Sequence, residues 1–439
     1  MSALLEGPLL RSVLRVGLPA ALFQILIFAN NFVDYQWVQV LGPEAAAGQT
    51  AGWTILWTLF SVAQIFSIGI TAIVARRTGE GEAAAATHAA RHGLRGALLA
   101  SLVVGGGGWF LVPLLIEGNA ASPAAAAHTL DYLRTACVGA PLIFLFHGCE
   151  GIFKGRGDMR RPLYAVAGAV GLNLLLDPLL IHVAGLEVLG AALATVIAFG
   201  VTGSVLLLLA CRRTWVTIGG AGFDVALVRR VVRIGTPVSL HGIVFSFVYI
   251  FIVAETNRAG GDAATAALGF GLRFEGFAYM VSVGFCSAAA ALVGQNLGAG
   301  NVRRARDAAW TAVRVAAWVS GIWGLLLLLL PQSVVAWMSP GAATAAYAVD
   351  YFEIVAMSLA FTAVEIVLEG AFSGAGDTIP PMVLGLPLTI ARIPLAMLLS
   401  RGVGWGVAGV FWALTITSVL RGLAFAFWFA RGRWVRGVA

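Results

Sequence analysis

Long apolar runs dominate the chain, and short polar stretches punctuate them. A bilayer core takes about 20 consecutive apolar residues per helical crossing. Twelve runs meet that length, at roughly 13–40, 50–75, 93–116, 129–153, 161–183, 189–211, 233–257, 263–293, 309–331, 345–372, 381–400 and 405–430. No segment alternates apolar and polar positions as the strands of a membrane barrel do. The pattern predicts an all-α integral membrane protein with 12 transmembrane helices. Composition agrees: 59% of the 439 residues are hydrophobic and only 11% are charged, against about 25% charged in an average soluble domain.

The net charge of +7 would suggest nucleic acid in a soluble chain. Here its distribution speaks of topology, because cytoplasmic loops collect Arg and Lys. The N-terminus holds Arg11 and Arg15, and the loop after the second run holds Arg76, Arg77, Arg91 and Arg95. Lys154, Arg156, Arg160 and Arg161 follow the fourth, and Arg212, Arg213, Arg229, Arg230 and Arg233 follow the sixth. Arg303, Arg304 and Arg306 follow the eighth, and the tail carries Arg431, Arg433 and Arg436. The other side receives Arg134, Arg258 and Arg401. Both termini are therefore expected in the cytoplasm. Arg11 and Arg15 lead into a full-length run rather than a short apolar region with a cleavage site, so no cleavable signal is expected.

The second half echoes the first. "EGIFKGRGD" (150–158) returns as "EGAFSGAGD" (369–377), "VARRTGEG" (74–81) as "VGQNLGAG" (293–300), "DYLR" (131–134) as "DYFE" (350–353), and "RVGLP" (15–19) as "RIGTP" (233–237). The blocks keep their order. They predict two six-helix halves, 1–215 and 216–439, joined by a cytoplasmic linker near 212–230 with a short interfacial segment. Six crossings per half make the repeats parallel, and transporters of that kind bind substrate between repeats near the midplane.

Several motifs carry little. "VGQNLGAGN" lacks the Lys-Ser/Thr ending of a phosphate loop and follows a membrane run, not a strand. His147 and Glu150 share a helix face, but no second pair accompanies them. Cys137, Cys149, Cys211 and Cys286 show no paired spacing and read as small apolar fillers. Nothing resembles a nucleophile–base set, so no enzyme and no cofactor is expected.

Ionisable residues inside the runs carry more, since each is costly in hydrocarbon and marks function by default. Asp34 follows Arg15 by 19 residues, Asp177 follows Arg161 by 16, and Thr195 precedes Arg212 by 17. At about 1.5 Å per residue these depths agree to about 5 Å. Asn173 lies one turn before Asp177 on the same helix face. Asp34, Asn173, Asp177 and Thr195 thus form a candidate cation cup, able to take a proton or to hold Na⁺ as a metal site. The other half differs: Arg392 stands where Asn173 would repeat, and Ala396 where Asp177 would. Its runs hold Glu255, Arg273, Glu275 and Glu365, which with Arg392 make a possible second polar site. Ion pairs are expected for at least two of its glutamates. Glu150 and Glu369 match across the repeat and read as structural.

"VDYQWVQVLG", "GIFKGRGDMRRP…NLLLDPLLI", "LGAALATVIA", "GLRFEGFAYM…ALVGQNLGAGNVRRA" and "GAFSGAGDTIPP" occur here in that order. Together they resemble the MATE (multidrug and toxic compound extrusion) family of the MOP flippase superfamily, over nearly the whole chain. The resemblance implies two six-helix lobes forming a V and export of amphipathic or cationic organic compounds in antiport with H⁺ or Na⁺. It implies that Asp34, Asn173, Asp177 and Thr195 match the family's N-lobe cation site. It also implies that Pro19 matches a proline where the first helix bends. Glu255 and Glu365 match acids used by other branches. A monomer in a bacterial inner membrane is expected, with the lipid bilayer and small organic substrates as partners and no nucleic acid. The rival reading is a flippase for lipid-linked oligosaccharides or other lipids, which would favour a cationic lobe interface.

Overall fold

The computed structural model describes residues 2–116, 122–217, 219, 222–338 and 341–436. Among them every regular element is a helix. The long ones are α1 (Leu9–Gln39), α2 (Pro43–Gly79), α3 (Ala83–Ile116), α4 (Pro123–Gly155), α5 (Arg160–Val183) and α6 (Glu187–Arg212). A 74-residue helical run, Val225–Gly298, follows. At 1.5 Å per residue it would measure about 110 Å, far more than one crossing needs. Gly261 interrupts it with φ 66° and ψ −159°, giving α7 (225–260) and α8 (262–298). The last four are α9 (Val302–Leu329), α10 (Ala342–Ala375), α11 (Ile379–Gly402) and α12 (Gly406–Ala430). The chain is a multi-pass membrane protein. The interfacial segment expected within 212–230 falls partly outside the described residues.

Helix ends follow local chemistry. Ser122 accepts from the Ala125 amide at 3.1 Å, with Pro123 opening α4. Asp224 accepts from the Leu227 amide at 2.9 Å to start α7. Each satisfies an orphan donor of the first turn. Left-handed glycines recur at matching places: Gly42 and Gly261, Gly81 and Gly300, Gly157 and Gly376, Gly185 and Gly404 all have positive φ. Such turns exclude side chains with a Cβ at little cost only to glycine. The echo seen in the letters therefore also exists in the backbone.

The chain gathers into two compact units. The N-unit comprises Leu22–Ser239 and Gly294–Asn301; the C-unit comprises Met1–Ala21, Leu240–Val293 and Val302–Ala439. These bounds differ from the halves 1–215 and 216–439, because α1 and α7 each begin in one unit and end in the other. Pro19 and Pro237 stand two residues before those changes. The N-unit core includes Val38, Leu56, Val112, Tyr132, Ile181 and Val188. That of the C-unit includes Ile252, Leu268, Tyr351, Phe352, Phe411 and Leu414. Inside the N-unit, α2 and α4 touch closely: a Cβ on Gly151 would stand 2.6 Å from the Ser67 carbonyl oxygen. The Thr71 hydroxyl donates across the same contact to the Gly151 carbonyl at 3.1 Å.

Candidate functional site

Three helices of the N-unit converge on one buried polar cluster. Asp34 comes from α1, Asn173 and Asp177 from α5, and Thr195 from α6. Asn173 and Asp177 are fully buried, Asp34 is 5% exposed and Thr195 8% exposed. The equal depth read from residue counting thus corresponds to actual proximity. Asp177 and Thr195 stand beside the Asp34 carboxyl, with the Thr195 hydroxyl donating to the Ala191 carbonyl at 3.0 Å. In the orientation that satisfies its amide, Asn173 donates to Asp34 Oδ1 at 2.7 Å and to Asp177 Oδ2 at 3.2 Å. The local cause at α5 is Pro178. It has no N–H to give, and the backbone widens into a π turn over Leu179–Val183 immediately after Asp177, as π turns do at functional sites.

Asp177 Oδ1 is buried without a partner among the described residues. Two facing carboxyls with an orphan oxygen cannot both stay charged and bare in hydrocarbon. A proton shared between them, or a small cation, relieves the cluster. Sodium there would rest on two carboxylates, the Thr195 hydroxyl and the Asn173 amide oxygen. Among the described residues no three His, Cys, Asp or Glu side chains gather into a metal-binding group.

Asn30 also belongs here, and the sequence reading did not single it out. Its Nδ2 donates to Asp34 Oδ1 at 3.1 Å and Oδ2 at 3.2 Å. The signal was present: Asn30 precedes Asp34 by four residues, as Asn173 precedes Asp177.

The C-unit residues do not assemble in the same way. Glu255 lies between Arg258 and Arg401, with Arg258 Nη2 at 2.6 Å and Arg401 Nε at 3.0 Å from Oε1. Glu365 pairs with buried Arg421, whose Nη2 also meets His241 Nε2 at 3.0 Å. Tyr351 donates to Glu275 at 2.8 Å. Arg392 donates to Thr417 at 2.9 Å and Ser418 at 2.8 Å and lies over the rings of Phe245 and Tyr249. Arg273 is exposed. Glu255 thus pairs with Arg258 and Arg401, and Glu365 with Arg421. Arg421 and His241 lie inside the apolar runs 405–430 and 233–257, but only packing, which brings α7, α10 and α12 together, shows that they meet.

The MatE family model matches the chain twice, over residues 19–179 and 237–398. The matches begin at Pro19 and Pro237, the prolines of the repeated "RVGLP" and "RIGTP". The chain is 27% identical to the FAD transporter of Shewanella oneidensis, covering 96% of this chain and 94% of that one. It is 28% identical to the probable multidrug resistance protein NorM of Pseudomonas aeruginosa, covering 95% and 89%. A crystal structure of MATE in complex with MaL6 superposes with a TM-score of 0.93 at 22% identity, covering 99% of both chains. The doubled match, the helical architecture and the full-length likeness agree: this chain belongs to the MatE (multidrug and toxic compound extrusion) family of membrane transporters.

Proposed function

We propose that the protein exports amphipathic, chiefly cationic, organic compounds by alternating access, in antiport with H⁺ or Na⁺. The carrying observation is the buried Asp34–Asn173–Asp177–Thr195 cluster, with its orphan carboxylate oxygen and, among the described residues, no basic side chain bonded to either acid. An entering cation removes one negative charge from the pair, and its release restores it. For a neutral substrate exchanged one for one, each charge falling through 100 mV supplies about 2.3 kcal/mol, enough for a gradient of roughly fortyfold. For a monovalent cation the one-for-one exchange is electroneutral, and the ion's concentration gradient alone drives it. The relatives named as multidrug resistance proteins support this reading. The relative named as an FAD transporter places flavin nucleotides among the substrates to try.

The same proposal has two parallel six-helix halves with both termini in the cytoplasm. It has a monomer in a bacterial inner membrane and a bend at Pro19 that responds to the state of Asp34. The test is direct flux in proteoliposomes. Ethidium, a fluoroquinolone and FAD are each loaded against an imposed ΔpH or ΔNa⁺. Uphill movement of at least one, abolished when the ion gradient is collapsed, supports antiport. Movement of all three that ignores both gradients contradicts it.

A further inference from the structure

Within the N-unit, the linker that joins the halves is fastened along one stripe of α3, far in sequence from the cation cluster. Thr87, His88, Arg91, His92 and Arg95 share that stripe by helical spacing. The Thr87 hydroxyl donates to the Thr214 carbonyl at 3.0 Å. Arg91 Nη1 donates to the Gly219 carbonyl at 3.2 Å and Arg95 Nη1 to the Gly222 carbonyl at 3.1 Å. At the end of the linker the Asp224 amide donates to His92 Nδ1 at 3.1 Å, while the Asp224 carboxylate caps α7. The first turn of α7 then packs on α3 at Gly96, where a Cβ would stand 2.7 Å from Val228 Cγ1. His92 thus ties the last linker residue to α3 where α7 begins.

His92 is 2% exposed, and both of its ring nitrogens meet donors. Nδ1 faces the Asp224 amide, and Nε2 lies 3.0 Å from Arg91 Nη2. A guanidinium offers donors only. Neutral imidazole has one lone pair and keeps one of these bonds; imidazolium has none and keeps neither. Among the described residues the charged groups around the ring are His88, Arg91 and Arg95 of α3 and Asp224 of the linker. Two are fixed cations and a third can become one, so a charge on His92 is opposed as well as unbonded. The His88 ring lies 4.3 Å away between centroids. Its pair with Asp224, at 3.9 Å, is open to solvent on both sides and therefore screened, so it offsets little of that loss.

We propose that His92 is a proton-sensitive catch. Neutral, it holds the Asp224 end of the linker on α3; protonated, it lets that end, from which α7 starts, come away. The attachment is present while His92 is neutral and is lost as pH falls through its titration. In the proposed orientation the linker faces the cytoplasm, the compartment into which proton antiport would deliver its ions. The catch stands apart from the export reading, and its test uses no transport.

Hydrogen–deuterium exchange of the purified protein, resolved to single amides and corrected for the intrinsic effect of pH, tests it. The comparison runs from about pH 8 to about pH 5, either side of the ordinary imidazole range. The Asp224 amide is held by His92. The Trp215 amide, held by the Ala210 carbonyl at 2.9 Å, is the internal reference, because no proton removes that acceptor. Loss of one hydrogen bond corresponds to about fivefold in protection. Wild type is expected to lose about fivefold at Asp224 on acidification and to stay within about twofold at Trp215. His92→Asn, whose amide oxygen takes the place of Nδ1 and does not titrate, keeps Asp224 protected at both pH values. His88→Gln leaves the wild-type response in place. No acid response at Asp224 in wild type, or an equal loss at Trp215, overturns the proposal. So does a full response in His92→Asn, or its disappearance in His88→Gln. If His92→Asn does not fold, wild type and His88→Gln decide alone.

Discussion

Asp177 shows what one residue can reveal. A carboxylate in "NLLLDPLLI" is anomalous in hydrocarbon, so its importance is legible from letters alone. Its neighbours are legible only in part. Asp34, Asn173 and Thr195 share its depth by residue counting, while Asn30 becomes visible through its 3.1 Å contact with Asp34. The amide orientation adds something that no sequence contains. The amide orientation assigned from its hydrogen bonds turns the Asn173 nitrogen to both acids and suits a shared proton, whereas Na⁺ would take the opposite assignment, with the oxygen turned to the site. Asn173→Ala is accordingly expected to slow proton-driven flux several-fold without abolishing it, measured in proteoliposomes under ΔpH. Loss as complete as in the aspartate variants would instead argue for Na⁺.

The C-unit acids behave differently at the same scale. Glu365 and Arg421 are both buried, at 3% and 4% exposure, and breaking such a pair strands a charge, at about 3–5 kcal/mol. Glu365→Gln should lower the thermal midpoint in detergent clearly. Arg258 and Arg401 are nearly half exposed at their side chains, 47% and 46%, so solvent screens the Glu255 pairs. Glu255→Gln should cost no more than about 1 kcal/mol. A larger midpoint loss for Glu255→Gln than for Glu365→Gln would contradict this assignment.

At the scale of elements, hydropathy located the helices well because lipid forces every backbone polar group into intrahelical bonds. It placed their ends less well. α3 begins at Ala83, before its apolar run, because helical turns bearing His88, Arg91 and Arg95 continue outside the hydrocarbon. α7 and α8 need only Gly261 to separate them, a break that the polar "RAGGD" stretch (258–262) signals and hydropathy alone does not. Helix contacts are invisible to hydropathy. Gly151→Val would press a Cβ to 2.6 Å from the Ser67 carbonyl oxygen, and a backbone atom cannot rotate away. About 1–3 kcal/mol of destabilisation is expected, read as a lower thermal midpoint. An unchanged midpoint would mean that α2 and α4 are not in this contact.

For the whole molecule, the repeat was legible as matched words and reappears as matched left-handed glycines and a doubled family match. Packing was not: the compact units take the first turns of α1 and α7 from opposite halves. Orientation is an expectation from arginine placement, and labelling tests it. In a chain freed of its four cysteines, Glu82→Cys and Arg303→Cys should react with a membrane-impermeant maleimide only from the cytoplasmic side. Glu44→Cys and Asp262→Cys should react only from the other. All four sites are exposed. Reaction of Glu82→Cys and Arg303→Cys from opposite sides would refute parallel halves.

The central claim is that coupling resides at Asp34 and Asp177, two neighbouring carboxyls with no basic partner among the described residues, and not at Glu255, which two arginines hold. Reconstituted uphill flux of Asp34→Asn, Asp177→Asn and Glu255→Gln, each alongside equilibrium substrate binding, tests it most directly. The account predicts that both aspartate variants bind substrate but accumulate none against a gradient, while Glu255→Gln retains most of its flux. Full uphill activity in the two aspartate variants, with loss in Glu255→Gln, would contradict it and move the coupling site to the C-unit.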